Sequence, residues 1–292
     1  ASDKQFVISV DEMRHSEGML FGHAWLETDR DRKGKKITGR KSSVRIRLEA
    51  SDTNETAWAE GHQSGVAPLS TGLDTSYAWF GLVDSKTNKS LRTGIKADEA
   101  ESTRNLKLAW PQSENDRMLA VLRLIRDFGQ LGARSRGGWG AVHVEATDPL
   151  EPVELLRYAQ HIEDCLNTDW PASFTSDEDG LWIWQSQQTF SDWDKLMDFV
   201  ARRRKDIRTS LKDVQGSDLR YILGTAKGGR VANPLRWRPV LEIDNTLRLR
   251  IFAMPWQVSS KLKSVSSQQL KVAWLKIAQE LDQHAELKRY TK

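Results

Sequence analysis

The chain has 292 residues, a formal net charge of +4, 29% charged and 38% hydrophobic side chains. It is long enough for two domains with real cores and too apolar for global disorder. So small a charge excludes polyanion binding through the field of the whole molecule and leaves it to local clusters of Lys and Arg. A single cysteine, Cys165, excludes an internal disulfide framework and a cysteine-based zinc site, and no apolar run approaches the roughly 20 residues that span a bilayer. A cytoplasmic protein is expected, with Cys165 a small buried hydrophobe.

Phe6, Ile8 and Val10 alternate with polar neighbours and predict a half-buried strand, with residues 11–17 a turn or short helix leading to Met19, Leu20 and Phe21. Residues 27–41 are almost wholly charged, with Gly34 and Gly39. They read either as a solvated hairpin tip or as a basic finger that carries Arg40 and Lys41 toward RNA or a partner. Val44, Ile46 and Leu48 alternate with Arg45, Arg47 and Glu49, which predicts a strand with one apolar and one charged face. Residues 51–75 are a long polar excursion, 77–83 a compact aromatic strand, and Leu106, Leu108 and Trp110 a short strand stopped by Pro111.

Residues 116–144 change periodicity twice. Met118, Leu119, Val121, Leu122, Ile125 and Phe128 recur at helical spacing, with Ser113 as N-cap and an end at Gly129. Residues 129–140 carry five glycines around Arg134, Ser135 and Arg136, and residues 139–144 read as a strand. Glycines such as Gly132, Gly137 and Gly138 let a backbone take positive φ and approach closely, so the loop either sits on phosphates or is a tightly packed turn. It is not a dinucleotide fingerprint, which follows a strand and opens a helix.

The Asp148-Pro149 and Glu151-Pro152 pairs break the chain and place a domain boundary between 1–150 and 151–292. Beyond it, residues 153–166 read as an amphipathic helix, 170–180 as an acidic loop and 181–184 as a strand. A long helix over 192–211, capped by Ser191, buries Trp193, Leu196, Met197, Val200, Ile207 and Leu211. Its remaining positions carry Arg202, Arg203, Arg204, Lys205 and Arg208, either a solvated face or an RNA contact. A second glycine-containing basic loop, 225–233, holds Lys227 and Arg230. A hairpin over 241–255 turns at Asp244-Asn245, and a helix over 268–287 closes the chain. Helices and strands interleave without a long βαβ series, which predicts an α+β fold.

The stretch FGQLGARSRGGWG, residues 128–140, resembles the glycine-rich loop of the RAMP superfamily of CRISPR-associated RNA-binding proteins. It is most similar to the form GLGARSRRGFG of the type III-B (Cmr) subunits that cap the 3′ end of the guide RNA. GMLFG at 18–22, RKSSVRIR at 40–47, YAWFGL at 77–82 and RYILGTAKGGRVANPLRWRP at 220–239 are weaker matches at compatible distances. The resemblance implies two ferredoxin-like (RRM-like) domains and a non-catalytic structural subunit of the Cmr complex, an antiviral effector. Guide RNA (crRNA) is then the partner, with target RNA and other RAMP subunits as further candidates. The family's opening strand, threonine-proline turn and arginine-bearing helix do not precede Phe6, so the first domain is expected to lack its usual opening strand and helix. RNA contacts are expected from Gly132, Arg134, Ser135, Arg136, Gly137 and Gly138, joined by Arg40, Lys41, Arg202, Arg203, Arg204, Arg208, Lys227 and Arg230. The superfamily also contains metal-independent endoribonucleases, which leaves guide processing as one alternative and a protein-only scaffold as another.

The sequence offers little for catalysis. Six histidines are scattered without metal-ligand spacing, and neither a GxSxG elbow nor a phosphate-binding GxxxxGK[ST] loop occurs. His15, His23 and His62 have the side-chain type of a general base and nothing more. Neither a metal nor a cofactor is expected. Of the twelve tryptophans, most are expected in the core and the rest are candidates to stack on bases.

Overall fold

The structure is a computed structural model that describes residues 9–24, 26–49, 55–57, 77–79, 81–84, 87, 91, 93–95, 103–132, 134–147, 149–224, 231–257 and 265–290. It is a mixed α+β protein. The chain divides into two compact units, Ala1–Glu55 with Ile95–Arg123 and Thr56–Gly94 with Leu124–Lys292. The proline-rich break at 148–152 therefore lies inside the second unit. Among the described residues no helix is long and apolar enough to cross a membrane.

In the first unit, α1 (Val10–Phe21) starts where the Ser9 hydroxyl accepts the Glu12 N–H at 3.3 Å and stops at Gly22, φ 81°. Val10 therefore opens a helix rather than closing a strand, and Phe6 and Ile8 lie outside the described residues. Leu20 of α1 packs with Val44, Met118 and Trp110. Residues 23–40 form a hairpin with antiparallel bridges His23↔Arg40 and Arg30↔Lys36. Its tip is held by the Asp31 carboxylate, which accepts the N–H groups of Lys33 and Lys35 at 2.8 and 2.9 Å. β1 (Arg45–Leu48) pairs antiparallel with β4 (Leu106–Ala109), Ile46 opposite Leu108 and Leu48 opposite Leu106. The expected alternation holds, but the apolar face is open, with Ile46 and Leu48 both more than 60% exposed. Between these strands, β2 (Glu55–Ala57) pairs with β3 (Thr93–Ile95).

The helix α2 (Asn115–Phe128) ends where the sequence places its end. A 3₁₀ turn over Gln112–Glu114 precedes it, so Ser113 is inside that turn and not a cap.

The second unit is built on a four-stranded antiparallel sheet of spatial order β11-β8-β10-β9. Its strands are β8 (Ile183–Ser186), β9 (Leu235–Leu241), β10 (Leu247–Ala253) and β11 (Leu287–Arg289). The helices α4 (Trp193–Ser210) and α5 (Ser267–Asp282) join them in the chain order β8-α4-β9-β10-α5-β11. Both helices start as the sequence dictates. The Asp192 carboxylate accepts the Lys195 N–H at 2.9 Å, one residue after the expected cap Ser191, and Ser266 and Gln269 form a capping box. The period-two alternation of the strands then sorts their side chains. Trp184, Leu249, Ile251, Leu235 and Trp237 join Leu196, Met197 and Val200 of α4 and Trp274 and Ile277 of α5 in one core. Ile183 and Phe252 point the other way, onto Phe128, Leu155, Phe174 and Leu181. Both faces of the sheet are thus covered. Arg289 fixes the edge strand β11 through ion pairs to Asp177 and Asp282 at 2.6 and 2.7 Å, while Trp182 and Trp184 donate their indole N–H groups to the same two carboxylates.

Several expected elements differ. Residues 77–79 are a 3₁₀ turn followed by further turns, not a strand, because Trp79, Leu82 and Val83 are drawn into the core as a compact knot. The expected helix over 153–166 is a 3₁₀ turn (Leu155–Tyr158), a strand β5 (Ala159–His161) and a single helical turn α3 (Ile162–Cys165). β5 is held in strand form by parallel pairing with β6 (Phe174–Asp177), which lies within the expected acidic loop and pairs in turn with β7 (Gly180–Leu181). Cys165 is buried as expected.

Candidate functional site

The glycine-rich loop is held at its base by buried arginines. A helix C-terminus leaves carbonyls without partners and carries partial negative charge, and two strand residues answer both needs at the end of α2. Arg238 on β9, 3% exposed, donates to the carbonyls of Arg126 at 2.6 Å, Gly129 at 3.1 Å and Val142 at 2.7 Å. Arg250 on β10 donates to Asp127 O at 2.9 Å and stacks between Phe128 and Tyr290. Burial pushes Arg238 down to about 10, with the Arg250 charge adding and Asp127 opposing, so Arg238 stays charged at neutral pH, and burial lowers Arg250 as well. Because Val142 O is taken by Arg238, only Ala141 of the expected strand 139–144 pairs, bridging Gln130.

The loop neck closes with Leu131 N–H to Gly140 O at 2.8 Å. Its far side is stitched to β9, where Trp237 N–H donates to Arg136 O at 3.2 Å and Gln130 Nε2 donates to Trp237 O at 2.7 Å. The tip is a turn, Gly137 N–H to Arg134 O at 2.8 Å, with Arg134 itself at φ 61°. Gly132, Gly138 and Gly140 have positive φ and Gly137 does not. A Cβ on Gly137 would sit 2.7 Å from Arg204 Nη1, and one on Gly138 2.9 Å from Met197 Sδ. The loop is therefore both an unusual backbone path and a close fit onto α4. Trp139 anchors it by donating to Ala78 O at 3.0 Å and meeting Trp79 and Trp193 edge-on, with ring centroids 4.8 and 4.6 Å away.

Guanidinium groups gather around this frame. Arg134 is exposed and lies against the Gly81 backbone, while Ser135 and Arg136 are half-buried. Arg204 donates to Gly137 O at 3.3 Å and stacks on the Tyr77 ring at 5.1 Å. Arg208, one turn on, donates to Gly224 O at 3.2 Å. Burial pushes Arg204 down to about 10, and the charges of Arg134 and Arg208 act in the same direction. Arg236 on β9 is likewise lowered, by burial and then by Arg136.

The basic run of α4 does not form one face. Arg204 turns to the loop and Arg208 to Gly224, whereas Arg202 pairs with Asp198 at 2.9 Å and Arg203 pairs with Asp206 at 3.2 Å, stacks on Phe199 and bonds His284. Arg40 belongs to the first unit, where it forms a two-pronged pair with Asp29 at 2.9 and 3.0 Å, and Lys41 beside it is exposed. Lys227 and Arg230 lie outside the described residues. Tyr77, Arg236 and Arg238 were not among the expected site residues. The alternation in Arg236-Trp237-Arg238 marks two arginines on one strand face, and the i, i+4 spacing of Arg204 and Arg208 marks them as one helix stripe.

Six tryptophans are buried and, among the described residues, none is exposed, so indole stacking on bases has no support at those ten positions. His23 is buried against Asp29 at 2.8 Å, His15 lies 3.3 Å from the Thr28 hydroxyl, and His62 is outside the described residues. Among the described residues no group of three His, Cys, Asp or Glu side chains is placed to hold a metal. Comparison with family models, with curated proteins and with solved structures finds nothing that matches this chain.

Proposed function

We propose that the chain is a guide-RNA-binding structural subunit of a type III CRISPR effector, holding the crRNA toward its 3′ end beside other RAMP subunits. The observation that carries the reading is the loop over 129–140. Buried arginines clamp its base, tryptophans anchor its tip, and Arg134 and Arg136 stand on it next to Arg204, Arg208 and Arg236. A rigid loop with clustered guanidiniums suits phosphate contacts, which position a strand without reading its sequence. The chain order β8-α4-β9-β10-α5-β11, with spatial order β11-β8-β10-β9, is that of a ferredoxin-like βαββαβ domain, and we assign that fold to the second unit.

In RRM-type domains of this topology RNA stacks on the open sheet face. Here Phe128, Phe174 and Phe252 cover that face. The loop and its arginines are therefore the gripping surface, and binding is electrostatic.

A nuclease needs a general base within about 3 Å of a ribose hydroxyl and a group to stabilise the leaving oxygen. His23 is committed to Asp29, which disfavours it as that base. Incubating labelled single-stranded RNA with the purified protein, with and without Mg²⁺, tests the reading. Intact, bound RNA is expected. Site-specific cleavage would replace it with the endoribonuclease alternative, and failure to bind with the scaffold alternative.

A further inference from the structure

Arg204 and Arg208 sit one turn apart on α4 and reinforce each other's positive field. Each donates one described hydrogen bond, to the carbonyls of Gly137 and Gly224. A guanidinium has five N–H donors, so most of theirs find no acceptor among the described residues. Among the described residues no carboxylate bonds either group. Asp218 feels the charge of Arg208 but is gripped by Arg220 at 2.9 and 3.1 Å. The two arginines line a narrow recess that opens to solvent, with interior room for about one water, together with Tyr77, Asn233 and Trp237. Trp237 is 1% exposed and its indole N–H has no hydrogen-bond partner among the described residues.

Two like charges one turn apart, one of them desolvated, with donors left over, cost stability unless an anion completes them. From this geometry we infer that the solvent-facing mouth of the recess, between the two guanidiniums, is a binding site for one phosphate group. Arg204 and Arg208 supply charge-assisted hydrogen bonds, and Tyr77 holds the Arg204 plane from its other side. A tetrahedral phosphate spreads its acceptor oxygens in three dimensions and can engage both guanidiniums at once. The site lies next to the glycine loop, and its assignment to the phosphate of an RNA strand rests on the function proposed above. Its assignment to phosphate does not.

The experiment measures thermal unfolding and phosphate binding of the full chain in chloride and in inorganic phosphate at matched ionic strength, for wild type, Arg204→Met and Arg208→Gln. Wild type should gain saturable stability from phosphate, and each variant should bind it roughly ten- to a hundredfold more weakly. In chloride, Arg204→Met should unfold at or above the wild-type temperature, because it removes an uncompensated charge. Equal loss of stability for Arg204→Met in both buffers would show that Arg204 serves only the Gly137 carbonyl, and would overturn the site. So would stabilisation by a polyglutamate peptide and not by phosphate. A second arm measures competition between inorganic phosphate and a single-stranded RNA. Competition in wild type that is lost in both variants supports a strand phosphate. Saturable phosphate binding without RNA binding leaves the site standing and removes the RNA reading. RNA binding indifferent to both substitutions, with no phosphate effect, does the reverse.

Discussion

Arg238 reaches from β9 to the carbonyl oxygen of Arg126, 2.6 Å away in the last turn of α2, and the same guanidinium holds Gly129 and Val142 on either side of the glycine-rich loop. One strand residue thereby fixes where the helix ends, where the loop begins and where the chain leaves it.

Replacing Arg238 with Met should leave three carbonyls without their donor and lower stability by about 2–4 kcal/mol. Urea unfolding measures this. Because the loop base loosens, RNA affinity should fall although Arg238 itself is buried. Wild-type stability in the variant would mean that the clamp contributes nothing.

The loop glycines should respond to alanine unequally. Gly132 has φ 81° and open space around its Cβ position, so only backbone strain applies, about 1 kcal/mol. Gly138 combines φ 103° with a Cβ 2.9 Å from Met197 Sδ in a packed core, and should lose about 2–3 kcal/mol. Gly137 has no positive φ and meets the end of a flexible guanidinium, so its alanine variant should be nearly as stable as wild type while displacing Arg204. Equal melting temperatures for the Gly132 and Gly138 variants would contradict the assigned packing.

In the first unit, hydrogen bonds from Arg40 hold the Asp29 carboxyl at about 2 against burial, which alone would raise it, with His23 adding to the depression. A folded-state value below the unfolded one, near 3.9, gives stability that is complete above about pH 4 and lost as pH falls toward 2. Asp29→Asn should therefore flatten the acid side of the stability profile in that window. An unchanged slope between pH 4 and pH 2 would show that the pair does not couple to folding.

The helices α2, α4 and α5 and the turn at Asp244-Asn245 were legible because each writes its own periodicity and end signals over many residues. Residues 153–166 misled for the same reason. Leu155, Ile162 and Leu166 fit a helical stripe, but β6 offers β5 a backbone partner that no local pattern reveals. Trp79 carries strand propensity yet sits in a turn, since burying indole outweighed extending the chain. β11 was read as the tail of a helix because its three residues are fixed by the distant Asp177. At the site, the glycine loop and its arginines stood out, but the clamp did not. Arg238 looks like any strand arginine until its partners more than ninety residues earlier are known.

The most direct test of the account is the salt dependence of single-stranded RNA binding by wild type and by the double substitution Arg134→Gln, Arg136→Gln. Each phosphate contact on a single strand contributes about 0.7 to the slope of log K against log salt. The account predicts a steep slope for wild type, flattened in the variant by one to two phosphate equivalents, about 0.7 to 1.4 in slope, with RNA still intact. A slope that is the same in both proteins, or a wild type that does not bind RNA, would contradict it.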